Sequence, residues 1–235
     1  MDHRKKHLIW IVLAVGLLAA VFPVVRHFKS SEVPAKTPAT PAANTPILAP
    51  DDKVHAGYAG SNTCLECHET AYTGWMDSNH GLAERDYRKD MDDQGFSPKQ
   101  TLQHGTETSE MFLDAEGFAK ILTRGLGNQR RSYPVTRVIG NDPLRQFLIP
   151  APGGRLQTCD VSYDPHKNEW FDVYGEEERN PGDWGHWTGQ GMKWNAMCAA
   201  CHNTRLRKNY DPQKNSYDTK MAEMTVGCEA CHGPM

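Results

Sequence analysis

Three short runs of cysteine and histidine carry the clearest chemistry in this sequence. Each has the form Cys-x-x-Cys-His, at residues 64–68, 198–202 and 228–232. The pattern is typical of covalent haem c attachment, because two thiols one helical turn apart can form thioethers to both vinyl groups of one porphyrin, while the adjoining His binds the iron. The sequence predicts three covalently bound haem c groups, held by Cys64, Cys67 and His68, by Cys198, Cys201 and His202, and by Cys228, Cys231 and His232.

Paired cysteines also serve other purposes. Two Cys-x-x-Cys pairs can hold a structural zinc, and one pair can act as a redox dithiol. Zinc sites do not require a His after every second Cys, and a redox dithiol needs only one motif, so the repetition favours haem. Cys159 lies outside the motifs and is interpreted as a small buried apolar residue. A redox thiol or an intermolecular disulfide is the alternative there.

The second axial face of each iron decides what the haem can do. A second His gives a six-coordinate electron carrier, whereas an open face can bind a substrate or a gas. The candidate metal ligands besides the three motif histidines are His80, His186 and His104. His55 is a weaker candidate, and His166 is interpreted as a solvated turn residue.

Composition limits the classes of function. The chain has 235 residues and a net charge of −3, so it offers no electrostatic case for binding nucleic acid. Hydrophobic residues make up only 38%, and some of them lie in one N-terminal run. We therefore expect too little apolar side chain for a large polypeptide core, and we expect haem to supply the core instead.

The N-terminus predicts the compartment. Arg4, Lys5 and Lys6 precede an uncharged run over residues 8–25. This run is near the lower limit for spanning a bilayer and longer than a usual signal-peptide core, so an uncleaved signal anchor is favoured over a cleaved signal peptide. The basic N-terminal flank places the N-terminus in the cytoplasm. The haem domain would then lie on the periplasmic side of a bacterial inner membrane, where haem c is attached.

The organisation predicted along the chain has three parts. They are a transmembrane anchor at residues 1–29, a Pro- and Ala-rich linker at 30–53, and a multihaem cytochrome domain at 54–235. The domain is expected to be α+β, with short helices around the motifs and a β-rich insert. We predict a helix over 69–85, a hairpin over 111–122, strands over 133–139, 156–163 and 170–174, and a short helix or strand over 144–149. The second and third motifs should be neighbours.

Several segments resemble the cytochrome c-554-like multihaem cytochromes. They lie at residues 58–64, 75–80, 139–148, 153–157, 186–189, 206–210 and 226–234. The resemblance implies an exported haem domain that passes electrons. It also implies that His80, in Trp75-x-x-Ser78-x-His80, is a distal ligand to a haem other than the adjacent one, and that His186 matches a family position. Many relatives continue with a further haem motif, so we expect a shortened member or a fragment.

These inferences favour a membrane-anchored trihaem electron carrier without catalytic residues. Its expected partners are a redox protein donor and acceptor, and the inner membrane through the N-terminal helix. Three alternatives stay open. They are a haem enzyme acting on a small nitrogen or oxygen compound, a membrane-anchored quinol dehydrogenase, and a subunit that only docks haems in a larger complex.

Overall fold

The computed structural model describes residues 49–235, which form one compact unit. The predicted anchor at 1–29 and most of the predicted linker at 30–53 lie outside the described residues. Within 49–235, no helix is long and apolar enough to cross a membrane. The domain boundaries and the membrane anchor therefore stay predictions.

The described residues contain five short α-helices and a larger β-structure. They are α1 (Asp51–His55), α2 (Leu65–Met76), α3 (Lys89–Asp92), α4 (Ala199–His202) and α5 (Cys228–His232). Each Cys-x-x-Cys-His run lies on one of these helices or at its start. The helix predicted over 69–85 begins earlier and ends at Met76. The Ser78 hydroxyl donates to the Trp75 carbonyl at 2.6 Å, and this local hydrogen bond closes the helix before His80.

Two antiparallel sheets form the β-structure. One has the strand order β1-β6-β7-β8-β9 and the other β2-β3-β4-β5, while two small pairs, β10-β13 and β11-β12, lie near the C-terminal motifs. The strands are β1 (Glu84–Asp86), β2 (Gln100–His104), β3 (Glu107–Leu113), β4 (Ala119–Arg124), β5 (Arg130–Pro134), β6 (Arg137–Ile139), β7 (Arg145–Ala151), β8 (Arg155–Asp164), β9 (Glu169–Asp172), β10 (Asn203–Thr204), β11 (Tyr210–Asp211), β12 (Ser216–Tyr217) and β13 (Glu223–Met224).

Most of the predicted strands are confirmed. The hairpin over 111–122 is the β3–β4 pair, the segment 144–149 is strand β7, and the segments 156–163 and 170–174 form the β8–β9 pair. The segment 133–139 is not one strand. It is divided between β5 and β6, which belong to different sheets.

The β-structure has a polypeptide core of its own, so the expectation that haem must supply the core is wrong for this part of the domain. Phe96 packs edge-on against Phe147 and Trp170, with ring centroids 5.0 and 5.2 Å apart. Alternation along the strands concentrates the few apolar residues on the inner faces. The buried cluster comprises Phe96, Met111, Ala119, Ile121, Tyr133, Val138, Phe147, Ile149, Cys159, Val161, Tyr163, Trp170 and Trp187.

Candidate haem-binding site

The first and third motifs face the same cavity, although they are separated by most of the described chain. The cavity has a volume of about 790 Å³, which falls in the range of cofactor sites. The motif side chains that line it are Cys64, Cys67, His68, Cys228, Cys231 and His232. Ala71, Trp75 and Val226 add apolar walls. The Cys228 thiol lies close enough to Cys64 to add to the effect of burial in raising the pKa of the Cys64 thiol.

Two carboxylates join the chain before the first motif to the chain around the third. Glu229 accepts hydrogen bonds from the backbone N–H groups of Ala59 and Gly60, at 3.1 and 2.8 Å. Glu223 accepts from the backbone N–H and the hydroxyl of Ser61. We call this set of contacts the 59–61/223–229 junction. It brings the two motifs to one cavity.

His80 lines the same cavity, in the turn after α2. Its backbone carbonyl accepts hydrogen bonds from the Thr225 hydroxyl and from the Val226 N–H, the latter at 3.3 Å. The Trp75 indole N–H donates to the Val226 carbonyl at 2.9 Å. Both contacts tie the His80 turn to the segment that leads into the third motif. His80 is thus an imidazole beside His68 and His232, as a distal ligand requires.

The second motif is positioned by strand β1 and strand β8. The Nδ1 of His202 lies 2.8 Å from the Ala83 carbonyl oxygen, where it donates a hydrogen bond that leaves Nε2 free for iron. The Cys198 thiol lies 3.5 Å from the Thr158 hydroxyl. Burial raises the pKa of the Cys198 thiol, and the Thr158 contact opposes that shift.

A buried carboxylate holds both flanks of the second motif. Glu84 accepts hydrogen bonds from the Trp194 indole at 2.8 Å and from the Asn203 side chain at 2.6 Å. Arg137 lies 3.2 Å from its other oxygen. Burial raises the pKa of Glu84, and these three donors oppose the rise. The Trp194 indole, four residues before Cys198, is thus held by Glu84.

The second and third motifs are also neighbours along the backbone. Strand β10, which follows His202 directly, pairs with β13, which ends four residues before Cys228. A groove of about 400 Å³ runs between them, lined by Cys201, Leu206 and Ala230 among others. The polypeptide around all three motifs therefore forms one continuous region.

The structure places His104 and His186 elsewhere, beside a small polar cavity between the two sheets. The Nδ1 of His104 lies 3.0 Å from an Asp172 oxygen, and its Nε2 lies 2.8 Å from the Ser109 hydroxyl. Both ring nitrogens therefore have protein partners. His186 bonds Thr188, and burial lowers its pKa to about 4. Their assignment as haem ligands stays a prediction that this geometry does not support.

The polar cavity beside His104 and His186 is also lined by Asp160, a carboxylate that the sequence analysis did not single out. Burial and the nearby Asp172 carboxylate raise the pKa of Asp160 to about 6. Its neighbour Cys159 is fully buried on the opposite face of β8, where burial raises the thiol pKa, as expected for a small buried apolar residue. No sequence motif marks Asp160, because its environment is created by long-range strand pairing.

His55 and His166 complete the histidines of residues 49–235, and each bonds a protein oxygen. His55 bonds the Arg205 backbone carbonyl at 3.0 Å, and His166 bonds the Asp142 carboxylate at 2.5 Å on an exposed turn. Among residues 49–235, no cluster of His, Cys, Asp or Glu has the arrangement of a simple metal-ion site.

The residues at the motifs fit haem c. All six motif thiols are free rather than disulfide-bonded, and Cys67, Cys201 and Cys231 are exposed to an incoming porphyrin. The apolar walls of the shared cavity suit a large planar hydrophobic group. A covalent porphyrin on each motif therefore agrees with the donor set and its surroundings.

Comparison with known proteins supports this interpretation. The family model described as "Cytochrome c554 and c-prime" matches residues 166–233, which include the second and third motifs. The resemblance to the cytochrome c554-like family is confirmed. The match supports a c-type cytochrome with covalently bound haem c and electron transfer as its general role.

Similarity to other proteins is more distant. No curated protein sequence matches the c554-like chain significantly. The crystal structure of the outer cell wall cytochrome OcwA is similar at 18% sequence identity with a TM-score of 0.44. The alignment covers 76% of this chain and 32% of OcwA, so the chain spans about a third of that cytochrome's length.

Proposed function

We propose that this protein is a periplasmic, membrane-anchored trihaem c-type cytochrome that carries electrons between redox partners. The observation that carries the proposal is the shared cavity. The cysteines and histidines of the first and third motifs line it together with His80. The second motif lies next to the third, across a separate groove. Two porphyrins attached within one cavity would be close neighbours, as electron transfer through a chain of cofactors requires.

Haem c supplies reversible one-electron oxidation and reduction when bound. The chain's own residues attach and orient it. His68, His202 and His232 are the proximal ligands, and the Ala83 carbonyl fixes the tautomer of His202. Glu84 holds Trp194 and Asn203 on either side of the second motif, which fixes that motif's position.

His80 supplies a distal imidazole in this proposal, to the haem of the third motif. Its turn is bonded to Thr225 and Val226, immediately before that motif, through its own backbone carbonyl. A rigid second His favours a six-coordinate iron that exchanges electrons with little rearrangement.

The compartment and the partners belong to the proposal as well. The uncharged run at residues 8–25, with Arg4, Lys5 and Lys6 before it, supports an inner-membrane anchor. Haem c attachment supports a periplasmic domain. An electron donor and an electron acceptor, both proteins, would complete the path.

One observation favours a second candidate, a haem that binds a small nitrogen or oxygen compound. The shared cavity contains two proximal histidines, His68 and His232, but His80 is the sole further imidazole that lines it within the described chain. One of the two irons would then lack a protein imidazole on its second face. Such an iron is open to an exogenous ligand.

The first experiment counts the haems. The protein is matured in a host that attaches haem c, and its intact mass is measured beside that of a variant with the six motif cysteines replaced by Ser. We expect three added porphyrins in the parent and none in the variant. A parent mass without porphyrin, with bound zinc, would rule out the cytochrome assignment.

The second experiment tests the role of His80 by optical and EPR spectroscopy of the haem-loaded protein. His80→Ala should convert one low-spin haem to high-spin and add one carbon monoxide site, with the number of attached haems unchanged. His166→Ala is the matched control, because His166 lies on an exposed turn and bonds Asp142. An unchanged spin state in His80→Ala would remove His80 from the ligands. A parent that already binds carbon monoxide would support the second candidate.

A further inference from the structure

The third motif contains a buried carboxylate in a place where the chemistry of haem attachment requires none. Glu229, the residue after Cys228, is only 3% exposed. Glu66, which lies between the cysteines of the first motif, is exposed and does not line the shared cavity. A carboxylate is buried only where other groups compensate its charge. Those groups identify what Glu229 does.

Two compensating groups belong to the chain before the first motif, and the Met235 N–H adds a third donor at 3.3 Å. The two carboxylate oxygens of Glu229 accept from the N–H groups of Ala59 and Gly60, at 3.1 and 2.8 Å. These residues lie 170 and 169 positions away in sequence. Hydrogen bonds to an ionised acceptor are shorter and stronger than those between neutral groups, and two of them fix orientation as well as distance.

A second carboxylate acts at the same junction. Glu223 accepts from the Ser61 hydroxyl at 2.7 Å, and that hydroxyl oxygen in turn accepts from the Cys228 N–H at 2.8 Å. Ser61 is fully buried. A side chain at Gly227 would place its first carbon 2.0 Å from a Glu223 oxygen, so only glycine permits this approach. The hydrogen-bonded path therefore runs from the start of the first motif to the first cysteine of the third.

We propose that Glu229 and Glu223 are positioning residues that set the spacing between the first and third haems, and thereby the electronic coupling of that pair. This inference rests on the proposed function. The 59–61/223–229 junction joins the chain just before the first motif to the third motif, and Cys64 and Cys228, to which the porphyrins would be bound, lie next to it. Electron exchange falls steeply with distance, so a small displacement here changes coupling without changing either iron's ligands.

The test uses the haem-loaded protein and two measurements. Hydrogen exchange at residues 59–61 reports the junction, and EPR of the fully oxidised protein reports the magnetic interaction of neighbouring ferric haems. Glu229→Gln keeps one acceptor oxygen and removes the charge, so it weakens the junction with little change in volume. Glu66→Gln is the matched control, an identical substitution at an exposed position in another haem motif.

We expect exchange at Ala59 and Gly60 to accelerate at least about tenfold in Glu229→Gln, because hydrogen bonds to a charged acceptor are lost. The coupled EPR signal of the parent should decrease and ordinary low-spin signals should gain the lost intensity. Glu66→Gln should change neither measurement. Ser61→Ala removes the hydroxyl that donates to Glu223, so it should produce the same effect. It replaces Glu229→Gln in the test if that variant fails to fold.

Two results would overturn the inference. One is a parent whose haems are already magnetically independent. The other is accelerated exchange in Glu229→Gln with an unchanged coupled signal, which would make the junction a structural contact alone. The proposed function fails separately, through a mass with fewer than three haems in the parent.

Discussion

The stability of the β-structure should depend on Trp187, which precedes the second motif in sequence but packs within the core of the sheets. Trp187 is fully buried, and its indole N–H donates to the Arg124 carbonyl at 2.8 Å. Its ring lies edge-on to Tyr133, with centroids 4.9 Å apart. Replacing Trp187 by Ala would remove the contact between the loop before the second motif and the sheet β2-β3-β4-β5.

The cost of Trp187→Ala can be estimated from these contacts. Truncating a buried Trp costs about 3–5 kcal/mol through lost packing and the remaining cavity. The unpaired Arg124 carbonyl adds about 1 kcal/mol, for a total of roughly 4–6 kcal/mol. For a domain of this size, that corresponds to a fall in the melting temperature of roughly 8–24 °C.

The assay is thermal and urea unfolding of the haem-loaded protein, followed by far-ultraviolet circular dichroism. Trp184 provides the control, because it is 64% exposed in the same loop. Trp184→Ala should change the free energy of unfolding by only about 0.5 kcal/mol, as surface substitutions usually do. Equal shifts in the two variants would refute the reasoning, since the sheet core would then not depend on the buried indole.

Three further outcomes are expected. Replacing all six motif cysteines by Ser should leave the β-structure folded, because no motif residue belongs to its main buried cluster around Phe96, Phe147 and Trp170, and a protease-sensitive, unstructured variant would contradict this. Gly125→Ala should destabilise the protein by about 1–3 kcal/mol in urea unfolding, because the added carbon would lie 2.0 Å from the Trp187 ring; stability equal to the parent's would show that the ring can move aside. The pKa of His186 is lowered to about 4, so the unfolded chain takes up a proton that the folded one does not. As the pH is lowered from about 6.5 to 4, the free energy of unfolding should therefore fall by up to about 1.4 kcal/mol per pH unit. His186→Gln should lose this slope in urea titrations at pH 7 and 5, while a slope equal to the parent's would contradict the assignment.

Local patterns predicted most strands correctly, because alternation is a property of neighbouring residues. They failed where distant contacts decide. The helix after the first motif ends at Met76 rather than near 85, since the Ser78 hydroxyl bonds the Trp75 carbonyl. We predicted that the second and third motifs are neighbours because they are close in sequence. The cavity shared by the first and third motifs was not predicted, because it depends on Glu223 and Glu229, whose hydrogen-bond partners lie far away in sequence.

Low apolar content led to the wrong expectation for the core. The few apolar residues of the β-structure are concentrated on inner faces, so the mean of 38% hydrophobic residues conceals a well-packed cluster. His104 and His186 show the same limit. Their types suit a metal, yet the pairing of β2 with β3 places His104, and the chain after β9 places His186, beside a polar cavity lined by carboxylates and hydroxyls.

The 59–61/223–229 junction also determines when the protein can complete its fold. Closing a contact across about 170 residues requires a long loop and must await synthesis of the third motif. Until then the first pair of thiols stays accessible to the enzymes that attach haem, while the sheets, built mainly from contacts between neighbouring strands, can already form. The late closure thus makes the junction one of the last parts of the domain to assemble.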